Sequence, residues 1–472
     1  MSGRARRMSA NGSGGEDLFG AGSFRDPRGF VFQREGRLLR QVNAAHREDY
    51  DHLMGSGLYE ALVEAGLLIP HREVDIAIAA TPEAYRVLEP ERVAFISYPY
   101  EWSFGMFRDA ALATLRIQEL ALSFGMSLRD ASAYNVQFQR GRPVLIDTLS
   151  FERLREGRPW VAYRQFCQHF LGPLALMSHR DVRLGQLLRV HIDGVPLDLV
   201  ASLLPGRTWL RPGLMLHIHL HARSQRQHAA GATPRGRFGL RAFVGLVQSL
   251  RSAVDGLRWD PGRSAWVGYY QEAESYTAAA LEHKQELVAR FVEEAAPDQV
   301  WDLGGNVGAF SRIASDRGIF TVCFDVDPGC VEANYRRVAE AGEKNLLPLV
   351  LDLTNPSSRI GWESRERMSL ADRGPADLVL TLALVHHLAI GNNVPLPRLG
   401  AYLAELGRAL VVEFVPKSDP KVRDLLVVRE DIFGDYTAEG FERAFGARFE
   451  ILRREPVRES ERVLYLMRRT VG

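Results

Sequence analysis

The sequence predicts an α/β protein with two domains: a C-terminal, doubly wound, mostly parallel seven-stranded sheet over residues 263–472, and an N-terminal α+β domain over residues 24–222. Three observations support this prediction. The chain has 472 residues, which is too many for one ordinary core. From about Pro297 onward, strand-like and helix-like segments alternate, which is typical of βαβ units and a parallel sheet. Acidic or polar residues follow several of these strands, at the edge where open α/β sheets bind ligands.

The remaining segments are expected to form a tail and a connection. Residues 1–23 are rich in Gly, Ser and Arg and lack an apolar stretch, which indicates a disordered tail and not a signal peptide. Residues 223–262 begin as a polar stretch and continue with apolar residues at helical spacing from Leu240 to Leu257. We therefore predict a linker and a connecting helix there.

Composition and charge limit the function classes. The chain has 59 basic and 58 acidic residues and a formal net charge of +1, so nothing in its overall charge favours nucleic acid or an anionic membrane as a partner. Its three cysteines lack metal-ligand spacing and fit a reducing compartment, from which we expect a cytoplasmic location. The most apolar run, residues 378–390, is too short to span a membrane and contains two histidines.

The N-terminal elements follow from local patterns. Residues 29–41 hold two short apolar stretches around a polar Arg-Glu-Gly-Arg turn, which predicts a hairpin. Leucines between Tyr50 and Leu68 recur at helical spacing, and residues 93–98 are strand-like. Residues 110–124 carry a wide apolar face, which predicts a helix.

A group of polar residues follows this helix. Asp130 is followed five residues later by Asn135, and Asp147 ends a further strand-like run. The arrangement resembles the catalytic loop of kinase-like folds, where such residues serve as a base and two metal ligands. The chain departs from that pattern because it has no preceding G-x-G-x-x-G loop, has Arg40 in place of a strand lysine, and lacks Phe-Gly after Asp147. Three interpretations stay open: a kinase-like fold without phosphotransfer, an unrelated fold in which these residues cap turns, or an active phosphotransferase.

A glycine-rich turn is the central motif of the C-terminal domain. A short apolar strand contains Asp302 and runs into the turn at residues 304–308, after which a helix begins. Glycine lets the backbone pass close to a ligand, and a helix N-terminus presents free N–H groups. A second strand ends in Asp325, 23 residues beyond Asp302 and near the ~20-residue interval at which an acid reaches ribose hydroxyls.

Further strands of this domain also end in polar residues. One ends at Asp352, one runs into His386 and His387, and one ends at Glu413. A final pair of strand-like stretches lies between residues 449 and 466. The polar residues at strand ends are therefore expected at one edge of the sheet.

This set of features resembles the class I S-adenosylmethionine-dependent methyltransferases, which have a Rossmann-like fold, across residues 263–472. The resemblance implies that the acid and glycines of the turn hold the methionine part of the cofactor. It also implies that Asp325 takes the ribose hydroxyls, that Asp352 lies near the adenine amino group, and that the final strand pair is antiparallel. Asn306 stands where the commonest pattern has glycine. The implied cofactor-binding residues are Asp302, Gly304, Gly305, Asn306, Gly308, Asp325 and Asp352.

A closer resemblance is to the NoeA-like nodulation-protein methyltransferases. It covers most of the chain and is carried by Tyr269-Tyr270, Ser275-Tyr276-Thr277, residues 377–396 and residues 130–135. This resemblance does not identify a substrate.

His386 and His387 are the candidate catalytic residues. They follow the fourth strand, whose carboxyl end faces the transferring methyl group in the fold that the resemblance implies. On an extended segment adjacent side chains project to opposite faces, so only one imidazole is expected to face the acceptor. The alternative is that both histidines pack or cap the next helix.

A second group of histidines is a candidate metal site. His217, His219 and His221 alternate, so on a strand they would share one face and could ligate zinc. No fourth ligand is obvious nearby, and a histidine-bearing strand at a domain interface is the commoner arrangement. We expect no metal.

The most specific functional prediction is therefore a methyltransferase that moves a methyl group from S-adenosylmethionine to an unidentified acceptor, with a small molecule favoured. The expected mechanism is direct displacement, in which the protein mainly aligns the reactants. A base is needed only if the acceptor atom must lose a proton. Two alternatives stay open: a kinase-like phosphotransferase or ATP-binding module fused to a methyltransferase, and a non-catalytic cofactor-binding protein.

Overall fold

The computed structural model describes residues 22–228, 239–262, 277–427 and 430–470, without the side chains of residues 225–228. Most of the expected tail lies outside the described residues, as do the Tyr269-Tyr270 and Ser275-Tyr276 stretches. Within the described ranges, no helix is long and apolar enough to cross a membrane.

The described strands are arranged in four sheets. In chain order they are β1 Gly29–Arg34, β2 Arg37–Asn43, β3 His71–Val74, β4 Ala84–Pro90, β5 Met126–Leu128, β6 Val136–Gln139, β7 Arg142–Leu145, β8 Phe151–Arg153, β9 Gln299–Leu303, β10 Phe320–Asp325, β11 Leu346–Val350, β12 Ala376–Thr381, β13 Gly407–Phe414, β14 Phe449–Pro456 and β15 Val463–Arg469. β1 to β4 form one antiparallel sheet, β5 pairs with β8, β6 pairs with β7, and β9 to β15 form one large sheet.

Helices connect and cover these sheets. In chain order they are α1 Arg47–Gly55, α2 Leu58–Glu64, α3 Phe104–Ser123, α4 Tyr163–Phe166, α5 Gly172–His179, α6 Leu187–Val190, α7 Leu197–Leu203, α8 Pro212–Leu214, α9 His221–His228, α10 Leu240–Asp255, α11 Ala278–Ala295, α12 Ser311–Ser315, α13 Pro328–Ala341, α14 Leu396–Leu406, α15 Pro420–Val427 and α16 Ala438–Gly446. Single π-helical turns span Cys167–Leu171, Met215–Leu220 and His387–Gly391.

The N-terminal sheet has the strand order β1-β2-β4-β3. Its first two strands form the predicted hairpin, in which Gly29 lies opposite Val42. Phe32, Leu39 and Val87 are buried together on this sheet, because alternate residues of a strand point to the same side. The sheet forms one wall of a cleft whose other wall is built by the elements that follow.

The helix α3 confirms the predicted helix at residues 110–124 and begins earlier, at Phe104. Ser103 caps it, since its Oγ accepts a hydrogen bond from the N–H of Met106 at 3.4 Å. Its apolar residues are buried in the core of the N-terminal region, Phe107 and Leu115 among them. The predicted helices near residues 50–68 are also present, as α1 and α2.

The predicted connecting helix is α10, and it packs against α3. Its buried residues are Phe243, Val247, Leu250 and Val254. Ion pairs accompany this contact: Arg251 lies 3.1 Å from Glu119, and Arg108 lies 3.0 Å from Asp255. The helix is therefore an integral part of the N-terminal helical region.

The prediction of a strand at residues 93–98 is wrong. The segment is irregular and leads into a turn at Pro99–Glu101. The backbone N–H of Tyr98 donates to Oε2 of Glu101 at 2.9 Å, so it is not available to a neighbouring strand. Proline lacks an N–H for a sheet ladder and favours such a turn.

The strand prediction at His217, His219 and His221 is also wrong, because all three residues lie in the helical stretch from α8 to α9. Apolar neighbours such as Ile218 are buried there as one face of a helix. The His217 ring is hydrogen-bonded to Tyr163 at 2.9 Å, and the His221 ring stacks on the same tyrosine with centroids 5.0 Å apart. The His219 ring lies instead against Trp209, with centroids 4.4 Å apart. Among the described residues, no group of three or more metal-ligating side chains is arranged to hold an ion.

The large C-terminal sheet confirms the predicted fold class. Its strand order is β11-β10-β9-β12-β13-β15-β14. The pairs β9–β10, β10–β11, β9–β12 and β12–β13 are parallel, whereas β15 runs antiparallel to both β13 and β14. This is a mostly parallel seven-stranded sheet with the expected antiparallel pair at its end.

The strand order reverses beside β9. From β9 the chain proceeds through β10 to β11 on one side and then returns to place β12 on the other side. A reversal of this kind opens a crevice at the carboxyl ends of the strands, where open α/β sheets bind ligands. The glycine-rich turn follows β9 and therefore lies at this crevice.

The N-terminal region and the C-terminal sheet share buried apolar contacts. The ring of Phe95 packs edge-on against Trp301 of β9, with ring centroids 5.5 Å apart, and against Phe324 of β10, at 5.8 Å. All three side chains are buried. The N-terminal region is thus packed directly against these two central strands.

Candidate functional site

A cavity of about 250 Å³ lies at the carboxyl ends of β9 to β12. Its lining residues are Gly304, Asn306, Asp325, Val326, Leu351, Asp352, Leu353, Thr354, Leu382, Ala383, Leu384, His387, Leu388 and Asn392. Five of the sequence-predicted site residues are among them. Asp302, Gly305, Gly308 and His386 are not.

The glycine-rich turn is held against the next strand. The N–H groups of Gly304 and Gly305 both donate to the carbonyl oxygen of Phe324, at 2.8 and 2.9 Å. Gly304 has φ of 76°, a conformation that costs little only for glycine. A Cβ at Gly305 would lie 2.5 Å from Sγ of Cys323, so a larger residue does not fit there. The turn can therefore approach the cavity closely only with glycine at both positions.

Asn306 connects the turn to Asp325, the acid that ends the second strand of this domain. Its N–H donates to Oδ2 of Asp325 at 2.8 Å, and its own Oδ1 accepts from the N–H of Val307 at 2.8 Å. Its φ is 52°, which asparagine tolerates better than most residues because of its short polar side chain. The turn is therefore kept with asparagine at a position where the commonest form of the motif has glycine.

Asp325 is oriented by backbone N–H groups. Oδ2 accepts from Asn306, and Oδ1 accepts from the N–H of Asp327 at 2.8 Å. Burial raises the pKa of Asp325, and these hydrogen bonds oppose that shift because they favour the charged form. The carboxylate borders the cavity with a fixed orientation.

Asp302 lies behind the turn. It is fully buried, and its Oδ2 accepts a hydrogen bond from Oγ of Ser311 at 2.6 Å. Burial raises the pKa of Asp302 to about 6, with the nearby Asp325 carboxylate adding to the shift. In this position Asp302 supports the turn, and the cavity wall in front of it is made by the backbone at Gly304.

Asp352 lies just after β11 at the edge of the cavity, and it is exposed. Its Oδ1 accepts from the N–H and from Oγ1 of Thr354, at 2.8 and 2.6 Å. Val326 and Leu353 add apolar surface beside it. This part of the cavity combines apolar walls with one carboxylate.

The two histidines occupy different environments. His387 is half-buried and lines the cavity, whereas His386 is fully buried and neither of its ring nitrogens has a hydrogen-bond partner. Burial lowers the pKa of both imidazoles, and that of His386 falls furthest. The segment is helical at this point and not extended as expected, and the two rings lie against each other, with centroids 4.2 Å apart and an interplanar angle of 36°. Of the two, only His387 lines the cavity, and its role toward an acceptor stays a prediction.

A buried ion pair supports the turn after β12. The N–H of Ala383 donates to Oε2 of Glu413 at 2.7 Å, and Nζ of Lys284 lies 2.7 Å from the same oxygen. Both charged side chains are at most 1% exposed. Glu413 stood out in the sequence as a strand-end acid, whereas Lys284 lies on a helix with no motif around it.

Sequence reasoning missed much of the apolar lining and did not assign Asn392 a role. Nδ2 of Asn392 donates to the carbonyl of His387 at 2.9 Å, which joins the two ends of the π-helical turn. Thr354 and Leu384 were missed in the same way. The signal that Thr354 and Leu384 share is their position within a few residues of the carboxyl end of a strand.

The fold also brings together the polar residues of the N-terminal region. Asp130, Asn135, Asp147 and Arg40 line a second cavity of about 500 Å³ between the β1–β4 sheet and the elements after α3. Arg40 contacts the carboxylate of Asp147 directly. Asp130 accepts from the N–H of Ser132 at 2.9 Å, as in a turn-capping role.

The two carboxylates of this cleft differ electrostatically. Burial raises the pKa of Asp130, and the Asp147 carboxylate adds to that rise. Burial would also raise the pKa of Asp147, but Arg40 and the Ser150 hydroxyl outweigh it, so the pKa of Asp147 is lowered. Asp147 is therefore a charged group already neutralised by an arginine.

Comparison with known proteins identifies one relative that spans nearly the whole chain. Nodulation protein NoeA of Rhizobium meliloti (strain 1021) is 37% identical over 460 residues, which cover 95% of this chain and 96% of that protein. No protein-family model matches the sequence.

Similarity to solved structures is weak by comparison. Magnesium protoporphyrin IX methyltransferase (ChlM) from Synechocystis PCC 6803, solved with bound SAH, is 17% identical over 40% of this chain and 84% of that chain, with a TM-score of 0.30. A S-adenosylmethionine-dependent methyltransferase from Clostridium acetobutylicum ATCC 824 is 11% identical over 43% of this chain and 96% of that chain, with a TM-score of 0.33. Scores this low carry no argument, so the fold rests on the strand order described above.

Proposed function

Because this chain belongs to the family of nodulation protein NoeA and its C-terminal sheet has the strand order expected of a class I methyltransferase, we propose that it is a S-adenosylmethionine-dependent methyltransferase. The observation that carries the proposal is the hydrogen bond from the Asn306 N–H to Asp325, across the crevice beside β9. It joins a glycine-rich turn to a strand-end carboxylate in one cavity wall. A nucleoside with a charged tail needs these two features together.

The cavity residues fit the cofactor in chemical type. Asp325 offers oriented carboxylate oxygens as acceptors for ribose hydroxyls, and Asp352 offers a second carboxylate beside apolar surface for adenine. The backbone at Gly304 has no side chain to block the methionine part. When bound, S-adenosylmethionine supplies an electrophilic methyl group on a sulfonium leaving group.

His387 has the role of orienting the acceptor and taking its proton where one must be lost. Burial lowers the pKa of its imidazole, so the neutral form that accepts a proton predominates near neutral pH. The other lining residues align the acceptor and exclude water. A small molecule remains the favoured acceptor.

Transfer of a labelled methyl group tests this proposal. Full-length protein is supplied with methyl-labelled S-adenosylmethionine and a fractionated cell extract. We expect label to enter a small organic compound, and the labelled compound then identifies the acceptor. Cofactor binding without transfer to any fraction would favour the alternative of a non-catalytic cofactor-binding protein. The cytoplasmic location, inferred from the cysteines, stays a prediction.

A second candidate function, an ATP-binding or phosphotransfer module, is supported by the N-terminal cleft. The supporting observation is that Asp130, Asn135 and Asp147 line one cavity below an antiparallel sheet. Against phosphotransfer stands Arg40, which neutralises Asp147 and leaves less negative charge for a magnesium ion.

We therefore expect no phosphoryl transfer by the N-terminal region. Full-length protein is incubated with labelled ATP, magnesium and candidate acceptors, next to the Asp130→Ala variant as a matched control. We expect both proteins to give only the background level of labelled phosphate transfer. Phosphoryl transfer that disappears in Asp130→Ala would overturn this expectation and promote the second candidate function.

A further inference from the structure

One long connection links the cofactor cavity to the N-terminal region. Residues 352–373, here called the bridging segment, join β11 to β12 and contain short turns but no strand or α-helix. The segment begins in the cavity wall with Asp352, Leu353 and Thr354. Irregular connections of this length are uncommon in compact domains and usually have a function.

The first half of the bridging segment is held by the N-terminal region. The guanidinium of Arg189 donates to the carbonyl oxygens of Asn355 and Pro356, at 3.3 and 2.8 Å. Oγ of Ser357 contacts Oε1 of Glu101. These contacts begin three residues after Asp352, so the N-terminal region fixes the backbone that carries this carboxylate.

The second half is held by a buried ion pair between the domains. The guanidinium of Arg373 donates to both carboxylate oxygens of Glu101, at 2.7 and 2.9 Å. The two side chains are only 2% and 1% exposed. Arg373 also lies over the rings of Phe95 and Tyr98, at 4.8 and 5.1 Å from their centroids. The hydroxyl of Tyr98 accepts from the N–H of Met368 at 2.7 Å.

Glu101 therefore connects both halves of the bridging segment to the N-terminal region. Its carboxylate accepts from Ser357 in the first half and from Arg373 in the second half, and also from the N–H of Tyr98 at 2.9 Å. Loss of one partner of a buried ion pair leaves the other charge uncompensated. Because the partners belong to different domains, that loss would release the bridging segment and not the core of either sheet.

We propose that the N-terminal region is part of the cofactor site, with Glu101 as a positioning residue that holds the bridging segment and so keeps Asp352 at the cavity. This inference rests on the proposed function, since it concerns binding of the same cofactor. Glu101 does not line the cofactor cavity among the described residues, and it acts through the segment. The N-terminal domain then contributes to methyl transfer without any chemistry of its own.

The test compares full-length wild type with Glu101→Gln by calorimetric titration with S-adenosylmethionine, well below the unfolding temperature. Glutamine keeps the shape but removes the charge that holds Arg373. We expect cofactor affinity to fall about fivefold or more, in the range of ordinary coupling between sites. Arg373→Lys keeps the positive charge but not the bidentate contact, and we expect it to lose less cofactor affinity than Glu101→Gln.

Hydrogen exchange separates positioning from general destabilisation. In Glu101→Gln, backbone amides at residues 353–358 should exchange faster, while amides of β9 and β10 keep their protection. The matched control is Arg290→Gln, which removes an exposed ion pair with Glu455 (3.0 Å) of β14, at the edge of the sheet opposite β11. It should change neither affinity nor exchange at residues 353–358.

The outcomes are distinguishable. Unchanged affinity in Glu101→Gln, with unchanged exchange in the segment, would overturn this inference and leave the proposed function standing. Failure of the wild type to bind S-adenosylmethionine would overturn both. If Glu101→Gln does not fold, Arg189→Gln is used instead, because it releases the carbonyls of Asn355 and Pro356 from a partly exposed side chain.

Discussion

Replacement of His387 by Ala is expected to lower methyl-transfer turnover at least 100-fold while cofactor affinity stays near that of wild type. His387 lines the cavity beside Leu384 and Asn392, whereas the carboxylate of Asp325 borders the cofactor side. A general base contributes about 10²–10⁴-fold to a rate. Steady-state kinetics with the identified acceptor, together with calorimetry on the cofactor, measures both quantities.

His386→Ala is the matched control for this prediction. His386 is the same residue type one position earlier, but it is fully buried and outside the cavity lining. Its replacement should lower the unfolding temperature by creating a cavity in the core, with turnover per folded molecule close to wild type. Near-normal turnover in both variants would show that alignment alone explains catalysis.

The pH dependence offers an independent check on His387. Burial lowers the pKa of this imidazole, with smaller contributions from Arg462 and Lys421. A lowered pKa means that the neutral, proton-accepting form persists to pH values below the ordinary histidine pKa of about 6.5. Turnover of the wild type should therefore stay level from pH 8 down to about 6.5 and fall only below that value.

The C-terminal sheet could be predicted from the sequence because its signals are local. Each parallel strand is a short apolar run that ends in a polar residue, and the glycine-rich turn after Asp302 marks where the ligand must approach. The antiparallel pair β14–β15 carried the same kind of local signal. Such patterns lie within ten residues, so a single sequence contains them in full.

The errors arose where a longer-range contact decides the local structure. Residues 93–98 have the composition of a strand, yet the N–H of Tyr98 bonds to Glu101 and the ring of Phe95 packs on Trp301 of the C-terminal sheet. The histidines from His217 to His221 alternate as in a strand, but the segment is helical, with Ile218 buried and Leu216 and Leu220 exposed. Alternating polarity alone did not distinguish these cases.

Parts of the candidate site had no sequence signal at all. Lys284 meets Glu413 across 129 residues of chain, and Arg373 meets Glu101 across 272. Neither arginine nor lysine stands in a motif, and a buried ion pair becomes visible only when the fold brings its partners together. The contribution of the N-terminal region to the cofactor site could not have been predicted for this reason.

The second large effect is expected at Asp325, whose replacement by Ala should weaken binding of S-adenosylmethionine by about 1.5–3 kcal/mol, or roughly 10- to 150-fold. The loss follows from removal of the carboxylate that borders the cavity and accepts from the Asn306 N–H. Asp327→Ala is the matched control, because Asp327 lies two residues away, outside the cavity lining, where it caps α13. It should bind the cofactor nearly as well as wild type.

Calorimetric titration of wild type, Asp325→Ala and Asp327→Ala with S-adenosylmethionine is the most direct test of the central claim, that this cavity holds the methyl donor. The predicted result is tight binding by wild type and the control, and binding weakened at least tenfold in Asp325→Ala. Equal affinities of wild type and Asp325→Ala would contradict the assignment of the cavity.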